Sequence, residues 1–259
     1  MTPGLEAIDG ENAMKFKVIL LAAAFLVIVP EAPFVSGGLT PKEILQRTDE
    51  ARGNLDGVQW TVDIDSVENN RTQHRNLDVK AKGYDFLSVL NSPPKVKGQK
   101  LLLVNHNMWF SKPDLQKPVP VSPRQKLVGG ASYGDIAATN YAEDYEATPL
   151  SDEKVNGESC HVFDLKATHK KATYDRIRYW VSKERFVGVK AEYFAVSGKM
   201  FKSATFEYKN QIQVRGNPQA FISKMTITDA LIKNNVTVMT FSEPKLVDLP
   251  VSTFARNRL

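Results

Sequence analysis

The chain has 259 residues, of which 42% are hydrophobic and 24% are charged, and its formal net charge is +5. These values are typical of a globular protein with one sizeable core. Lysine and arginine are spread along the chain without runs or an aromatic stacking motif, which argues against nucleic-acid binding. The same charge suits an anionic membrane surface or lipid headgroups. Cys160 is the only cysteine, so no intramolecular disulfide can form.

The beginning of the chain has the pattern of a signal peptide. A short basic region, Met14–Lys17, precedes twelve consecutive apolar residues, Val18–Val29. This length suits the core of a signal peptide better than a membrane span, which needs about twenty residues. We predict a signal peptide over residues 1–37, of which residues 1–13 are an extension before a better start, and a single domain over residues 38–259. An uncleaved membrane anchor is the alternative.

A helix and then a long series of strands are predicted in the domain. Thr40-Pro41-Lys42-Glu43 is a capping-box pattern with proline at the first helical position, and Gly53 closes the helix. Alternating apolar and polar runs follow, separated by turn residues such as Asn69-Asn70 and Asn156-Gly157, which is typical of an antiparallel sheet. The predicted strands are Trp60–Asp65, Thr72–Lys82, Tyr84–Leu90, Lys100–Val104, Met108–Phe110, Asp144–Val155, Ser159–Ala167, Thr173–Val181, Val187–Ala195, Met200–Tyr208, Phe221–Asp229 and Val236–Phe241.

The region Lys112–Asp144, called the lid segment below, interrupts the strand pattern. Its four prolines exclude a continuous central strand, and a short helix is predicted at Ile136–Tyr141. Insertions of about thirty residues between strands are usually lids or covers. Two interpretations of its glycine pair stay open, backbone crowding at a tight turn and the hinge of a gate. The predicted lid or rim residues are Trp109, Phe110, Gly129, Gly130 and Tyr133.

No spacing typical of a reaction centre is present. The four histidines, His74, His106, His161 and His169, have no partner three or four residues away that would make a metal-binding pair. Cys160 and His161 are neighbours in a predicted strand and point to opposite faces, so they cannot act as nucleophile and base. We therefore predict no catalytic site, no metal site, no cofactor and no enzymatic activity. A lipid hydrolase, the disfavoured alternative, would need serine or aspartate beside histidine in a cleft.

Several short segments together resemble the LolA-like family of outer-membrane lipoprotein-sorting proteins. Each segment is weak alone, but their joint order is specific and spans almost the whole predicted domain. The segments are Ser92-Pro93-Pro94 with Lys97-Gly98, Trp109-Phe110 with Pro113, Val121-Ser122-Pro123, Gly129-Gly130-Ala131-Ser132-Tyr133-Gly134-Asp135-Ile136, Asp144-Tyr145, Gly157 with Cys160-His161-Val162-Phe163-Asp164-Leu165-Lys166-Ala167, Arg178-Tyr179-Trp180-Val181, Val196-Ser197-Gly198-Lys199 and Ser223-Lys224-Met225.

The resemblance implies a mainly β (α+β) fold. A strongly curved antiparallel sheet would form a half-open barrel whose concave side is covered by short helices and a loop insertion. The superfamily includes periplasmic carriers that hold acyl chains between sheet and helices. This branch also resembles accessory proteins of resistance–nodulation–division-type exporters. The implied location is therefore the periplasm.

Two functions follow as expectations. The first is a monomeric carrier or chaperone that binds lipoprotein or lipid cargo in a hydrophobic groove for transfer toward the outer membrane, with an inner-membrane transporter complex and an outer-membrane acceptor as partners. The second is an accessory module that docks on an inner-membrane exporter and binds no lipid. From strand periodicity alone, the predicted lipid-binding residues are Trp60, Val62, Ile64, Ile177, Tyr179, Val181, Val189, Ala191, Tyr193, Phe221, Met225 and Ile227. Ordinary core packing is the alternative for each of them.

Overall fold

The structure, a computed structural model, describes residues 38–137 and 139–259. The predicted signal peptide lies outside the described residues. Leu39–Leu259 form one compact unit. No helix within the described ranges is long and apolar enough to cross a membrane.

Strands dominate this part of the chain. There are two α-helices, α1 (Pro41–Glu50) and α2 (Tyr141–Asp144). Short 3-10 helices lie at Pro94–Val96, Tyr133–Asp135, Val251–Phe254 and Arg256–Arg258. The strands are β1 (Val58–Glu68), β2 (Arg71–Lys82), β3 (Asp85–Ser92), β4 (Lys100–Val104), β5 (Asn107–Ser111), β6 (Val119–Val121), β7 (Lys126–Val128), β8 (Ala131–Ser132), β9 (Tyr145–Val155), β10 (Glu158–Ala167), β11 (Arg176–Ser182), β12 (Gly188–Phe194), β13 (Met200–Glu207), β14 (Asn210–Val214), β15 (Asn217–Phe221), β16 (Lys224–Asp229) and β17 (Val236–Leu246).

Thirteen of these strands form one antiparallel sheet in the order β6-β5-β4-β3-β2-β1-β17-β16-β13-β12-β11-β10-β9. The sheet is not closed into a barrel, because β6 and β9 are both edges. Pro120 lies in β6, where an edge strand tolerates the missing N–H donor. The hairpins β7–β8 and β14–β15 form two separate small sheets.

The large sheet curves around a single core. Leu103 and Met108, from strands near one edge, belong to the same buried cluster as Phe163 and Leu165, from a strand near the other edge. The rings of His106, in the turn after β4, and His169, after β10, are 4.9 Å apart, centre to centre, whereas in a flat sheet these strands would lie roughly 40 Å apart. The predicted fold, a mainly β half-open barrel, is confirmed.

Helix α1 begins as its sequence predicts. The Thr40 side chain accepts a hydrogen bond from the Glu43 N–H, and the Glu43 carboxylate accepts one from the Thr40 N–H. Ile44 and Leu45 on its inner side are buried in the core. The helix therefore docks on the concave face of the sheet.

Two predicted elements differ in the structure. The helix predicted at Ile136–Tyr141 is replaced by a 3-10 turn just before it, where the Asp135 carboxylate accepts the Ser132 N–H at 2.7 Å, and by α2 just after it. The strand predicted at Phe221–Asp229 is divided between β15 and β16. It breaks because the Ile222 N–H bonds to the carbonyl of Ala51, after α1, rather than to a neighbouring strand.

Candidate functional site

The concave face of the sheet is the candidate site. Eleven of the twelve predicted lipid-binding residues lie in the single inner cluster, and each is at most 4% exposed. Period-two alternation brings them together because every second side chain of each strand faces inward. These eleven are Trp60, Val62, Ile64, Ile177, Tyr179, Val181, Ala191, Tyr193, Phe221, Met225 and Ile227.

Val189 is the exception, and its predicted place on the inner face is wrong. It packs with Cys160, Val162 and Trp180 in a separate cluster on the outer face. The pairing of β11 with β12 shifts register between Trp180 and Val181. Such a bulge inserts one residue and changes the face to which the following side chain points.

The predicted rim residues also divide between the two faces. Phe110 packs against the inner cluster, whereas Trp109 packs on the outer face against the cluster of Leu102, Leu249 and Phe254. Adjacent strand residues point to opposite sides, so the two aromatic residues cannot line the same rim. Trp109 is instead covered by the C-terminal tail, where the Arg256 guanidinium lies 4.6 Å from the centre of its ring.

At the remaining predicted rim residues, the backbone of the lid segment lies in close contact with the sheet. A Cβ placed on Gly129 would lie 2.3 Å from the Thr237 Oγ1, and Gly129 has a φ of +54°. The Gly130 N–H donates to the same hydroxyl at 2.8 Å. Tyr133 is partly buried against the inner core. The close approach of backbone to strand favours the crowding interpretation of the two glycines.

Aromatic side chains contact one another within the inner core, both beneath the lid and away from it. Tyr141 of α2 makes an edge contact with Tyr179 of β11, with ring centres 5.2 Å apart. Trp60 of β1 makes a similar contact with Phe221 of β15 at 5.6 Å. Contacts of this kind add stability beyond the burial of apolar area.

The interior contains little free volume. A cavity of about 30 Å³ lies beneath the lid segment, lined in part by Tyr84, Leu103, Met108 and Tyr174. This volume accommodates about two water molecules. Sites for drug-sized ligands have volumes of roughly 300–1,000 Å³. The concave face is thus closed in this conformation and filled by the protein's own side chains.

A buried ion pair connects the lid segment to the sheet. The Lys202 ammonium of β13 lies 2.9 Å from the Asp135 carboxylate and also donates to the Gly130 carbonyl at 2.9 Å. The Tyr174 hydroxyl donates to the other Asp135 oxygen at 2.6 Å. Both charged side chains are almost fully buried. Sequence analysis missed this pair because its members are 67 residues apart.

Two more ionisable groups are buried where α1 ends. The Asp49 carboxylate accepts the Ala142 N–H at 2.9 Å, and burial raises its pKa to about 7. The Arg52 guanidinium packs over the Phe206 ring at 4.7 Å, and its Nη1 has no hydrogen-bond partner among the described residues. A sequence signal existed, because Asp49 and Arg52 lie four and seven residues after the buried Leu45, and this spacing continues the inner stripe of the helix.

Other polar groups line this region without partners. Within the described ranges, the hydroxyls of Tyr179, Tyr193 and Tyr208 are buried and make no hydrogen bond. Burial raises the pKa of each of these phenols.

A separate group, His106, Asp144 and His169, has ligand atoms within 4.8 Å of one another, close enough to share a metal ion.

Proteins from three bacteria are among the solved structures with the same fold. The LolA superfamily protein NE2245 from Nitrosomonas europaea is 28% identical, with a TM-score of 0.77 over 86% of this chain and 100% of that one. A putative outer membrane lipoprotein-sorting protein domain from Vibrio parahaemolyticus is 20% identical, with a TM-score of 0.72 over 84% and 97%. A DUF1329 family protein from Desulfovibrio piger is 18% identical, with a TM-score of 0.71 over 84% and 97%.

Comparison at the sequence level identifies a family for the chain. No curated protein matches the chain. A protein-family model described as "Uncharacterized protein" matches residues 83–259. The chain therefore belongs to the family that this model describes, and the LolA-like identity indicated by its sequence motifs is confirmed.

Proposed function

We propose that this protein is a periplasmic carrier that binds the acyl chains of a lipoprotein or another lipid on the concave face of its sheet, for transfer toward the outer membrane. The observation that carries the proposal is the continuous apolar inner face beneath the lid segment. An inner-membrane transporter complex and an outer-membrane acceptor would be its donor and recipient. The role requires no reaction, only reversible burial of the acyl chains.

Burial of acyl chains supplies enough free energy for such a role. Each buried methylene contributes about 0.8 kcal/mol, so about ten methylenes contribute roughly 8 kcal/mol. That amount is the free energy from which the cost of displacing the lid segment must be met, so each further methylene of a longer acyl chain strengthens binding. The Arg52 Nη1 and the nearby Tyr179 and Tyr193 hydroxyls, which are buried without a hydrogen-bond partner among the described residues, support a ligand with a polar head as well as an apolar tail.

Binding requires the lid segment to move, because the closed interior has room for about two water molecules. The centre of the lid is joined to the large sheet through side chains. The β7–β8 hairpin forms its own two-stranded sheet and is not part of the large one. The Lys202 ammonium donates to the Gly130 carbonyl, the Gly130 N–H donates to the Thr237 hydroxyl, and Lys126 pairs with Glu68.

A reversible disulfide across this contact tests the proposal. A Cβ on Gly130 would lie 3.8 Å from the Ile227 Cβ, which is about the mean Cβ separation of disulfides. Gly130→Cys with Ile227→Cys, in a Cys160→Ala background, leaves only the new pair able to cross-link. The protein is incubated with phosphatidylglycerol vesicles or a triacylated lipopeptide, and bound lipid is quantified by native mass spectrometry after oxidation and after reduction.

We expect the reduced form to load about one lipid per chain and the oxidised form to load at least tenfold less, because the lid can no longer leave the sheet. The Cys160→Ala parent, treated with the same oxidant, is the matched control and should load lipid in both conditions. Equal loading of the locked and unlocked forms would contradict binding beneath the lid.

Absence of lipid from both forms and from the parent would favour the second candidate function, docking on an inner-membrane exporter. One observation supports that alternative. Val196 and Leu231 are 86% and 69% exposed, at the β12–β13 and β16–β17 turns. These turns lie at the same end of the sheet because β13 pairs with both β12 and β16. Exposed apolar residues grouped in this way are typical of interaction surfaces.

A further inference from the structure

Three separate segments meet across the gap of the half-open barrel and bring two histidines to one carboxylate. His106 lies in the turn between β4 and β5, Asp144 ends α2, and His169 lies in the loop that follows β10. The Asp144 Oδ1 is 3.0 Å from the His169 Nε2 and 3.5 Å from the His106 Nδ1. The two imidazole rings are 4.9 Å apart, centre to centre.

These separations fit a shared metal ion. Zinc binds histidine nitrogen at about 2.0–2.1 Å and carboxylate oxygen at about 2.0–2.2 Å. Tetrahedral ligands at such bond lengths lie about 3.3–3.5 Å from one another. The two distances from Asp144 bracket that range, and all three ligand atoms lie within 4.8 Å of one another, so imidazole movements of at most about 1.5 Å would complete the geometry.

The surroundings of the carboxylate resemble the outer shell of a metal site. The Asp144 side chain is only 7% exposed, and its second oxygen accepts a hydrogen bond from the Tyr84 hydroxyl at 2.5 Å. Outer partners of this kind orient a metal-binding carboxylate. They leave the Oδ1 of Asp144 directed at the two imidazoles.

The nitrogen of His106 that would bind the metal has no other role. Its Nδ1 is buried and makes no hydrogen bond within the described part of the chain. A buried polar atom without a partner is unusual in a folded protein and calls for an explanation. A bound cation would supply the missing partner.

We propose that His106, Asp144 and His169 form a binding site for a divalent transition-metal ion of the zinc class. Two imidazoles and one carboxylate favour zinc-like ions over magnesium or calcium, which prefer oxygen ligands. Three protein ligands leave a fourth position open. The side chains of His106 and His169 are 42% and 32% exposed, so the site lies close to the surface of the protein.

Because of its location, a metal bound at this site would cross-link two distant parts of the sheet. His106 lies in the turn between β4 and β5, near the β6 edge of the sheet. His169 follows β10, which is next to the β9 edge. A metal bound to both would cross-link the two sides of the gap and hold α2 through Asp144. A hydrogen bond of 3.0 Å from the Lys171 Nζ to the Asn107 Oδ1 already joins the same two loops. This inference does not depend on the proposed carrier function.

Calorimetric titration of the chelator-treated, full-length protein with zinc chloride tests the proposal. We expect one zinc ion per chain, with affinity at least a hundredfold lower in His106→Ala and in His169→Ala. Tyr84→Phe should lower the affinity about tenfold, the scale of an outer-shell loss. His74→Ala is the matched control, because His74 also lies between two carboxylates, Asp65 at 2.9 Å and Asp63 at 3.7 Å, but has no second imidazole beside it.

A stability measurement distinguishes a lost ligand from a lost fold. Circular dichroism of the metal-free variants checks that they fold, which is expected because both histidines are partly exposed. Zinc at a hundredfold excess over its Kd should raise the Tm of the unmodified protein by about 5–10 °C and leave the Tm of His106→Ala unchanged. Failure to bind zinc, or equal affinity in the unmodified protein and both folded histidine variants, would overturn the proposal.

Discussion

The two faces of the large sheet bury side chains in different ways. The inner face carries one continuous cluster that runs through nearly all of its strands, whereas the outer face carries two clusters of four and three buried residues. The five buried charged side chains of the described residues all lie with the inner core or its lid: Asp49, Arg52, Asp135, Asp144 and Lys202. On the outer face, charged residues pair at the surface, as Lys190 does with Glu192.

This difference shows that the inner core, unlike the outer clusters, contains buried charged side chains among its apolar ones. Burying a charge costs free energy unless the charge is paired, and an apolar pair of similar volume is often at least as stable. Lys202 and Asp135 connect the sheet to the lid segment, and Asp49 connects α1 to α2 within that segment. Stability of the closed state should therefore depend on ionisable groups inside the barrel and only weakly on those outside it.

The largest expected effect comes from breaking the inner ion pair. Lys202→Met leaves the Asp135 carboxylate buried without its cation, which should lower the free energy of unfolding by about 3–5 kcal/mol. Lys190→Met on the neighbouring strand is the matched outer control. It loses a pair with Glu192 at 2.7 Å and a contact over the Trp180 ring, worth about 1 kcal/mol together. Urea unfolding measures both, and equal losses would remove the distinction between the faces.

The next effect is a dependence of stability on pH. The pKa of Asp49 is raised from 3.8 to about 7 by burial, so the folded protein retains a proton between these values that the unfolded chain has lost. The contribution of this group is therefore fully present below about pH 4 and is lost as the pH rises to about 7. We expect it to make the protein about 2–3 kcal/mol less stable at pH 8 than at pH 5.

Asp49→Asn isolates that dependence, because asparagine stays neutral and keeps an oxygen to accept the Ala142 N–H. Urea unfolding at a series of pH values should show a smaller fall in stability for the variant than for the unmodified protein. Parallel curves for the two proteins would show that Asp49 does not titrate in this range.

The smallest effect is expected on the outer face. Arg256→Ala removes a guanidinium that lies 4.6 Å from the centre of the Trp109 ring, an interaction worth about 0.5–1 kcal/mol at an exposed site. Thermal unfolding should show a fall in Tm of a few degrees at most. A loss as large as that of Lys202→Met would mean that the C-terminal tail is as important to the fold as the inner ion pair.

Much of the sheet could be predicted because period-two alternation is a local signal. The strand Lys100–Val104 has the predicted bounds, and the turns at Asn69-Asn70 and Asn156-Gly157 lie where predicted. The register shift that moves Val189 to the outer face was not predictable in this way. It depends on how β12 pairs with β11, and the order of residues within one strand does not specify that pairing.

The sequence by itself determined the antiparallel strands, the start of α1 and most of the inner face, since each depends on residues a few positions apart, and its resemblance to the LolA-like family implied the half-open barrel. Only the tertiary structure decided that the lid closes over a nearly filled interior and that Lys202 reaches Asp135. It also decided that His106, Asp144 and His169 meet. These contacts join residues separated by 25 or more positions, and curvature of the sheet brings them together. Curvature results from the packing of the whole core, which no local pattern in the chain records.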